Sequence, residues 1–133
     1  MDCKEIRHQL HRMAEPSNEE VKTSDFIRHE LERLTPTKIL TFPQGNHLLA
    51  EFDFGDGGKT ILLRADMDAV RVNETLNLPY KSETEGVSHK CGHDGHSTIL
   101  LRLAEMLHEK PLPAVKVLLL FQEAKIGRAS CRE

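Results

Sequence analysis

The apolar residues in the first third of the chain recur at helical spacing and predict two helices. A first helix has apolar positions at Ile6, Leu10 and Met13. It is expected to end near Pro16, because a proline inside a helix removes a backbone hydrogen-bond donor. Residues 17–20 read Ser-Asn-Glu-Glu, which fits a capping box with Ser17 at the cap, so a second helix is predicted from there to Pro36.

Four short apolar runs predict β-strands. They cover residues 38–42, 46–54, 60–65 and 115–121. The second and third runs flank the Gly-Asp-Gly-Gly stretch of residues 55–58, so we expect them to pair as a hairpin. The last run is almost continuously apolar, which is typical of a parallel strand that is covered on both faces.

A third helix is predicted before the last strand. Its apolar face consists of Ile99, Leu100, Leu103 and Leu107. Leu101 and Met106 extend the apolar surface most of the way round, so we expect this helix to be well buried. Residues 70–93 before it show little periodicity, and loops of that length are usually functional. Strand, loop, helix and strand form a βαβ unit, and the expected fold class is α/β with a mixed, mostly parallel sheet flanked by helices.

Composition narrows the classes of protein that fit. The 133 residues suit one domain, and 18 Lys and Arg against 21 Asp and Glu give a net charge of −3. Without a basic stripe, we expect no nucleic-acid partner. Apolar runs stay below the roughly 18 residues that a membrane span needs, so we expect no membrane partner. Three cysteines and a polar start without a secretory signal predict a reduced, cytoplasmic protein.

The stretch Cys91-Gly92-His93-Asp94-Gly95-His96 concentrates reactive side chains before the third helix. A thiolate and a neutral imidazole are ligands that Zn²⁺ prefers, and glycines permit the turns that aim both at one point. The start of the helix also favours an anionic thiolate. We therefore predict that Cys91 and His93 are metal ligands. Asp94 and His96 are expected either to cap the helix or to support the ligands from behind.

Two carboxylates, Asp66 and Asp68, follow the third predicted strand. In an open α/β sheet, ligand sites form at the carboxyl ends of parallel strands, so this strand end should meet the start of the third helix and the end of the last strand. A carboxylate there can ligate a hard cation or hydrogen-bond a ligating imidazole and fix its tautomer. We expect a site role for Asp68, whereas Asp66 also fits an ordinary turn.

Three motifs in order carry a family resemblance: residues 63–69 (Leu-Arg-Ala-Asp-Met-Asp-Ala), residues 91–96, and residues 120–122 (Leu-Phe-Gln). They resemble the metal-dependent amidohydrolases of the aminoacylase, hippurate hydrolase and indole-acetyl-amino-acid hydrolase type, and the stretch 11–20 is similar to their N-terminal segment. The resemblance implies a catalytic domain like that of zinc exopeptidases. It also implies a small-molecule N-acyl amino acid as substrate and a homo-oligomeric parent protein.

The same resemblance implies roles for particular residues. Cys91 and His93 match ligands of a two-metal centre, and Asp68 matches an aspartate that supports the catalytic site. The implied cofactors are two divalent metal ions, Zn or Mn and alternatively Co or Ni. Such a pair lowers the pKa of a shared water and polarises the scissile carbonyl.

The end of the chain departs from the family pattern. In the family, two consecutive glutamates follow the Phe-Gln of the last strand, the first as a general base and the second as a metal ligand. Lys125 and Ile126 stand at these positions here, and a lysine repels a divalent cation. Residues 125–133 resemble the translation of a sequencing adapter. We therefore expect residues 1–124 to be the N-terminal portion of a metallohydrolase catalytic domain, residues 125–133 to be a non-native tail, and the truncated chain to be inactive.

Two other functions are compatible with the residues. A non-catalytic module could hold a single ion with Cys91, His93 and one of the nearby aspartates. A nucleotide-binding α/β domain is permitted by the βαβ unit, but the glycine fingerprint after the first strand is missing. We expect His89 to be solvated in a polar loop, and His8 and His11 to lie on an exposed helix face.

Overall fold

The computed structural model describes residues 1–55 and 57–123, which form three helices and one four-stranded sheet. The helices are α1 (Cys3–Arg12), α2 (Val21–Glu32) and α3 (His93–Glu109). The strands are β1 (Lys38–Thr41), β2 (Leu48–Asp53), β3 (Thr60–Asp66) and β4 (Lys116–Gln122). The predicted α/β class, with a mixed sheet and helices, is confirmed.

The order of the strands in the sheet is β1-β2-β4-β3. β2 pairs antiparallel with β1 and with β4, whereas β3 and β4 are parallel, so two of the three pairings among the described strands are antiparallel. The hairpin expected from the second and third runs is wrong, because β4 lies between β2 and β3. The central position suits β4, which buries Val117, Leu119 and Phe121.

The hydrophobic core lies on one face of the sheet, where it includes residues of all three helices. Within the described residues β4 alternates between buried and half-buried positions, so the expected cover on both of its faces is wrong. α3 likewise buries one face only. Leu101 is fully buried, but Ile99 is 66% and Met106 50% exposed, which corrects the expectation of a helix buried nearly all round.

The start of α2 differs from the predicted capping box. The helix begins at Val21, and the carboxylate of Glu15 accepts hydrogen bonds from the amides of Lys22 (3.2 Å) and Thr23 (2.7 Å). A carboxylate suits the positive end of the helix dipole. Ser17 is not the cap, because its hydroxyl donates to Asp68 Oδ2 at 2.8 Å.

The carboxyl end of the β3–β4 pair meets the start of α3, as predicted. Asp66 is opposite Gln122 in the parallel register, and the Ser97 hydroxyl of α3 donates to the Asp66 carbonyl at 3.2 Å. No helix in the described part of the chain is long and apolar enough to cross a membrane. The predictions that concern Lys125, Ile126 and the tail lie outside the described residues.

Candidate metal centre

The backbone just beyond β3 is held by hydrogen bonds from two directions. The Met67 amide donates to the Gln122 carbonyl at 2.8 Å, and the Ala69 amide donates to the Glu15 carbonyl at 2.8 Å. Met67 is fully buried. Asp68 lies between these two anchors, so its carboxylate has a defined position at the edge of the sheet.

A left-handed glycine turns the loop into α3. Gly92 precedes the helix with φ of +84°, a conformation that residues with a Cβ rarely adopt. The amides of Gly95 and His96 donate to the Gly92 carbonyl at 3.0 and 3.2 Å, which completes the turn. The side chains on either side of the glycine, Cys91 and His93, are thereby brought to the same neighbour.

That shared neighbour is Asp68. His93 Nδ1 is 2.9 Å from both the carbonyl oxygen and Oδ1 of Asp68, and Cys91 Sγ lies 3.5 Å from the same carbonyl oxygen. Carbonyl and ionised carboxylate oxygens only accept, so Nδ1 carries the hydrogen in these contacts. His93 Nε2 is the nitrogen that remains for a ligand, and it lies 3.8 Å from Asp66 Oδ2.

The site stabilises charged forms of all three side chains. The hydrogen bond to the Asp68 carboxylate, followed by that to Cys91, raises the pKa of His93 to about 10. Burial opposes ionisation of Cys91, but the neighbouring side chains of His89 and His93 lower the pKa of its thiol to about 6. Burial also opposes ionisation of Asp68, yet His93 and Ser17 lower the pKa of its carboxyl. In the metal-free chain, a thiolate therefore lies beside an imidazolium at neutral pH.

These donors have the chemistry of a transition-metal site. A thiolate at Cys91 and an imidazole nitrogen at His93 suit Zn²⁺ and its neighbours, and the carboxylate on Nδ1 is the usual support of a ligating histidine. Over residues 1–55 and 57–123, no group of three or more His, Cys, Asp or Glu side chains could hold a metal ion. The described residues thus fit part of a metal site.

Comparison with known proteins finds peptidases and amide hydrolases among the similar proteins. Residues 62–124 match the model of the family described as Peptidase family M20/M25/M40. Hippurate hydrolase of Campylobacter jejuni is 38% identical over 106 residues, covering 80% of this chain and 27% of the relative. IAA-amino acid hydrolase ILR1-like 4 of Arabidopsis thaliana is 35% identical over 130 residues, covering 96% and 29% respectively.

A solved structure agrees with these relatives. The YXEP protein of Bacillus subtilis, a dinuclear metal binding peptidase from the M20 family, superposes with a TM-score of 0.85 and 35% identity over 92% of this chain and 34% of its own. Residues 62–124, somewhat less than half of this chain, are thus similar to the M20 family. The chain spans about a quarter to a third of the length of these relatives. The predicted resemblance to metal-dependent amidohydrolases is confirmed.

Two other predicted site residues, Asp94 and His96, lie on different sides of α3. Asp94 is buried and turned toward α1, where its Oδ2 accepts from Arg7 Nε at 3.3 Å and contacts His11 Nδ1 at 2.8 Å. His96 is exposed, and its ring centroid lies 5.8 Å from that of His93. The supporting roles of both residues stay predictions.

Two histidines were expected in solvent but are buried. His11 is 6% exposed and contacts the carboxylates of Asp94 and Glu74. His89 is 4% exposed, and its ring nitrogens make no hydrogen bond of good geometry within the described residues, although the ring is close enough to Cys91 to lower the pKa of the thiol. For His11, the available signal was its place directly after Leu10, an apolar position of the predicted helix.

Proposed function

We propose that this chain belongs to the M20 family and contributes to a metal-dependent hydrolase that cleaves amide bonds in N-acyl amino acids or related small conjugates. The observation that carries the proposal is the convergence of Cys91 and His93 on Asp68 at the carboxyl edge of the sheet. The names of the relatives, hippurate hydrolase and IAA-amino acid hydrolase, support this class of substrate.

Each side chain has a distinct role in this proposal. Cys91 Sγ and His93 Nε2 hold metal, and Asp68 keeps the hydrogen on Nδ1 so that Nε2 faces the ion. Asp66 lies 3.8 Å from Nε2 and is the next donor in reach. Two divalent ions, Zn or Mn with Co or Ni as alternatives, would supply the Lewis acidity that activates water and polarises the carbonyl.

The proposal distinguishes the parent enzyme from the 133-residue chain itself. Lys125 and Ile126 stand where the family resemblance places a base and a ligand, so we expect no turnover by this chain. Residues 1–124 are proposed as the N-terminal portion of the catalytic domain, and residues 125–133 as a non-native tail. A homo-oligomeric parent and a cytoplasmic location belong to the same proposal.

Cobalt binding tests the ligand assignment directly. Titration of the 133-residue chain with Co²⁺ should produce a sulfur-to-cobalt charge-transfer band in the near ultraviolet, and Cys91→Ser should abolish it. Cys3→Ser is the matched control, since Cys3 lies at the start of α1 and should leave the band unchanged. An identical band and affinity in the Cys91→Ser variant would contradict the proposal.

Hydrolysis tests the reaction class. We expect no metal-dependent release of glycine from N-benzoylglycine by the 133-residue chain. A longer chain that continues in the native frame and carries the Lys125→Glu and Ile126→Glu changes should release amino acid from at least one N-acyl substrate. Turnover by the 133-residue chain would refute the expected inactivity, and a metal-loaded longer chain inert toward a panel of N-acyl amino acids would refute the reaction class.

A further inference from the structure

His11 of α1 lies behind the candidate metal centre, between two buried carboxylates. Its Nδ1 is 2.8 Å from Asp94 Oδ2, and its Nε2 is 2.9 Å from Glu74 Oε1. The imidazole, Asp94 and Glu74 are 6%, 1% and 8% exposed. Because water has little access to them, the polar contacts that these three side chains make within the protein are needed to satisfy their buried polar atoms.

This arrangement needs a polar atom on each side of the ring. Burial opposes ionisation of Glu74, but the Ser82 amide and His11 lower the pKa of its carboxyl. The two ring nitrogens lie on opposite sides of the imidazole, so one side chain contacts both carboxylates at once. A glutamine carries one amide group at the end of its side chain, so it would leave one of the two carboxylates without its contact to residue 11.

One of the two carboxylates belongs to a residue that flanks the proposed ligands, and the other contacts a flanking residue. Asp94 directly follows His93 in the chain. Glu74 Oε1 lies 3.7 Å from the ammonium group of Lys90, which directly precedes Cys91. The imidazole that joins both carboxylates therefore closes a bridge from residue 90 to residue 94, and the ligand pair lies inside that bridge.

The other charged contact to Asp94 is weaker. Arg7 Nε is 3.3 Å from Asp94 Oδ2, but the Arg7 side chain is half exposed, so water screens this pair. Next to the imidazole are also the Tyr80 ring, in an edge-on contact at 5.3 Å between centroids, and the His89 ring at 6.1 Å. His11 thus links α1 to the first turn of α3 through a contact that is buried on both sides.

We infer that His11 is a positioning residue of the metal centre, which holds the Cys91–His93 turn in its ligating shape through Glu74 and Asp94. The His11 bridge consists of contacts with Glu74 and Asp94 and includes neither proposed ligand. Only its effect on ion affinity rests on the proposed function.

Hydrogen exchange of the metal-free chain tests the bridge itself. In His11→Gln, amide exchange over residues 88–96 should rise by about 10- to 100-fold, the usual effect of leaving a buried charged group without its hydrogen bond. Amides of β2 and β4 should keep their wild-type protection. His29→Gln is the matched control, because His29 is an exposed histidine of α2. Unchanged exchange over residues 88–96 would overturn the inference, and so would an equal rise in β2 and β4.

Cobalt affinity tests the consequence for the metal centre. His11→Gln should weaken Co²⁺ binding by about 10- to 100-fold, as is typical when a residue that supports a ligand is lost, and should leave the sulfur-to-cobalt band in place. Wild-type affinity in this variant would overturn the inference. If the wild-type chain binds no Co²⁺, the proposed function fails, whereas the exchange experiment still decides the role of His11.

A second variant covers the case in which His11→Gln does not fold. Glu74→Gln keeps the volume and one acceptor but removes the charge that faces the imidazole and Lys90. It should raise exchange over residues 88–96 in the same local pattern and by a smaller factor. Wild-type exchange there would overturn the inference without any measurement on the His11 variant.

Discussion

Replacement of Asp68 by asparagine should raise the pKa of the Cys91 thiol. Asparagine keeps the size of the side chain and an acceptor for His93 Nδ1, but it removes the charge. Because the hydrogen bond to the Asp68 carboxylate is the largest cause of the raised pKa of His93, that pKa should fall. The Cys91 thiolate then loses much of its cationic neighbour, and its own pKa moves back toward the ordinary value of 9.0.

The size of the effect on reactivity can be worked from the thiol pKa. At a pKa of about 6, Cys91 is about nine-tenths thiolate at pH 7, against about one-hundredth for a thiol at 9.0. This roughly 90-fold gain is offset about 16- to 32-fold, because nucleophilicity falls with pKa. The net rate advantage at pH 7 is only about three- to sixfold. The pH at which alkylation is half-maximal is therefore a sharper readout than the rate.

The assay is alkylation by iodoacetamide as a function of pH, in a chain with Cys3→Ser and Cys131→Ser so that one thiol reports. The midpoint should lie near pH 6 in the metal-free chain and at a higher pH in Asp68→Asn. Asp25→Asn, on the exposed side of α2, is the control and should not move it. An unchanged midpoint in Asp68→Asn would refute the idea that the carboxylate sustains the thiolate–imidazolium pair.

Three further predictions concern metal binding and stability. Between pH 6 and 10, His93 holds a proton that must leave Nε2 before that nitrogen can bind an ion. Cobalt binding at pH 8 should therefore release about one proton. Calorimetry in two buffers of different ionisation enthalpy measures this release, and equal binding enthalpies in the two buffers would contradict the prediction. Gly92→Ala should lower the free energy of unfolding by about 1–2 kcal/mol. This cost comes from backbone strain alone, since an added Cβ meets no atom within 4 Å. An unchanged urea midpoint would contradict the prediction. Leu101→Ala should cost about 2–5 kcal/mol because it opens a cavity in the core. Ile99→Ala, at a 66% exposed position of the same helix, should stay within about 0.5 kcal/mol, and equal costs for the two variants would refute the one-sided burial of α3.

Local pattern was sufficient for the elements but not for their pairing. The helical period marks all three helices, and the apolar runs mark all four strands, because both signals arise from residues close together in the chain. The glycine-rich stretch at 55–58 marks a change of direction and carries no information about the next neighbour in the sheet. β4 pairs with both β2 and β3 because it returns through α3, which packs on the same face. That outcome depends on the whole core.

The cap of α2 is a second case in which the local sequence pattern was not sufficient. A serine followed by glutamate three positions later is a capping box in an isolated helix. In the folded chain, Ser17 instead donates to Asp68, 51 positions away, and the carboxylate of Glu15 takes the amides at the start of the helix. A hydroxyl that serves the site cannot also serve the cap. The local signal failed because a long-range partner competed for the same group.

In the metal centre, the sequence indicates the ligands but not the residues that support them. Cys91 and His93 are two positions apart, so the sequence alone predicts that they bind the same ion. The groups that orient them are distant: Asp68 is 25 positions from His93, and His11 is 83 positions from Asp94. A buried imidazole and an exposed one look alike in a helical period, because one polar residue barely changes the pattern. A chain can therefore keep the Cys-Gly-His motif and still bind metal poorly, if the bridge behind the motif has been lost.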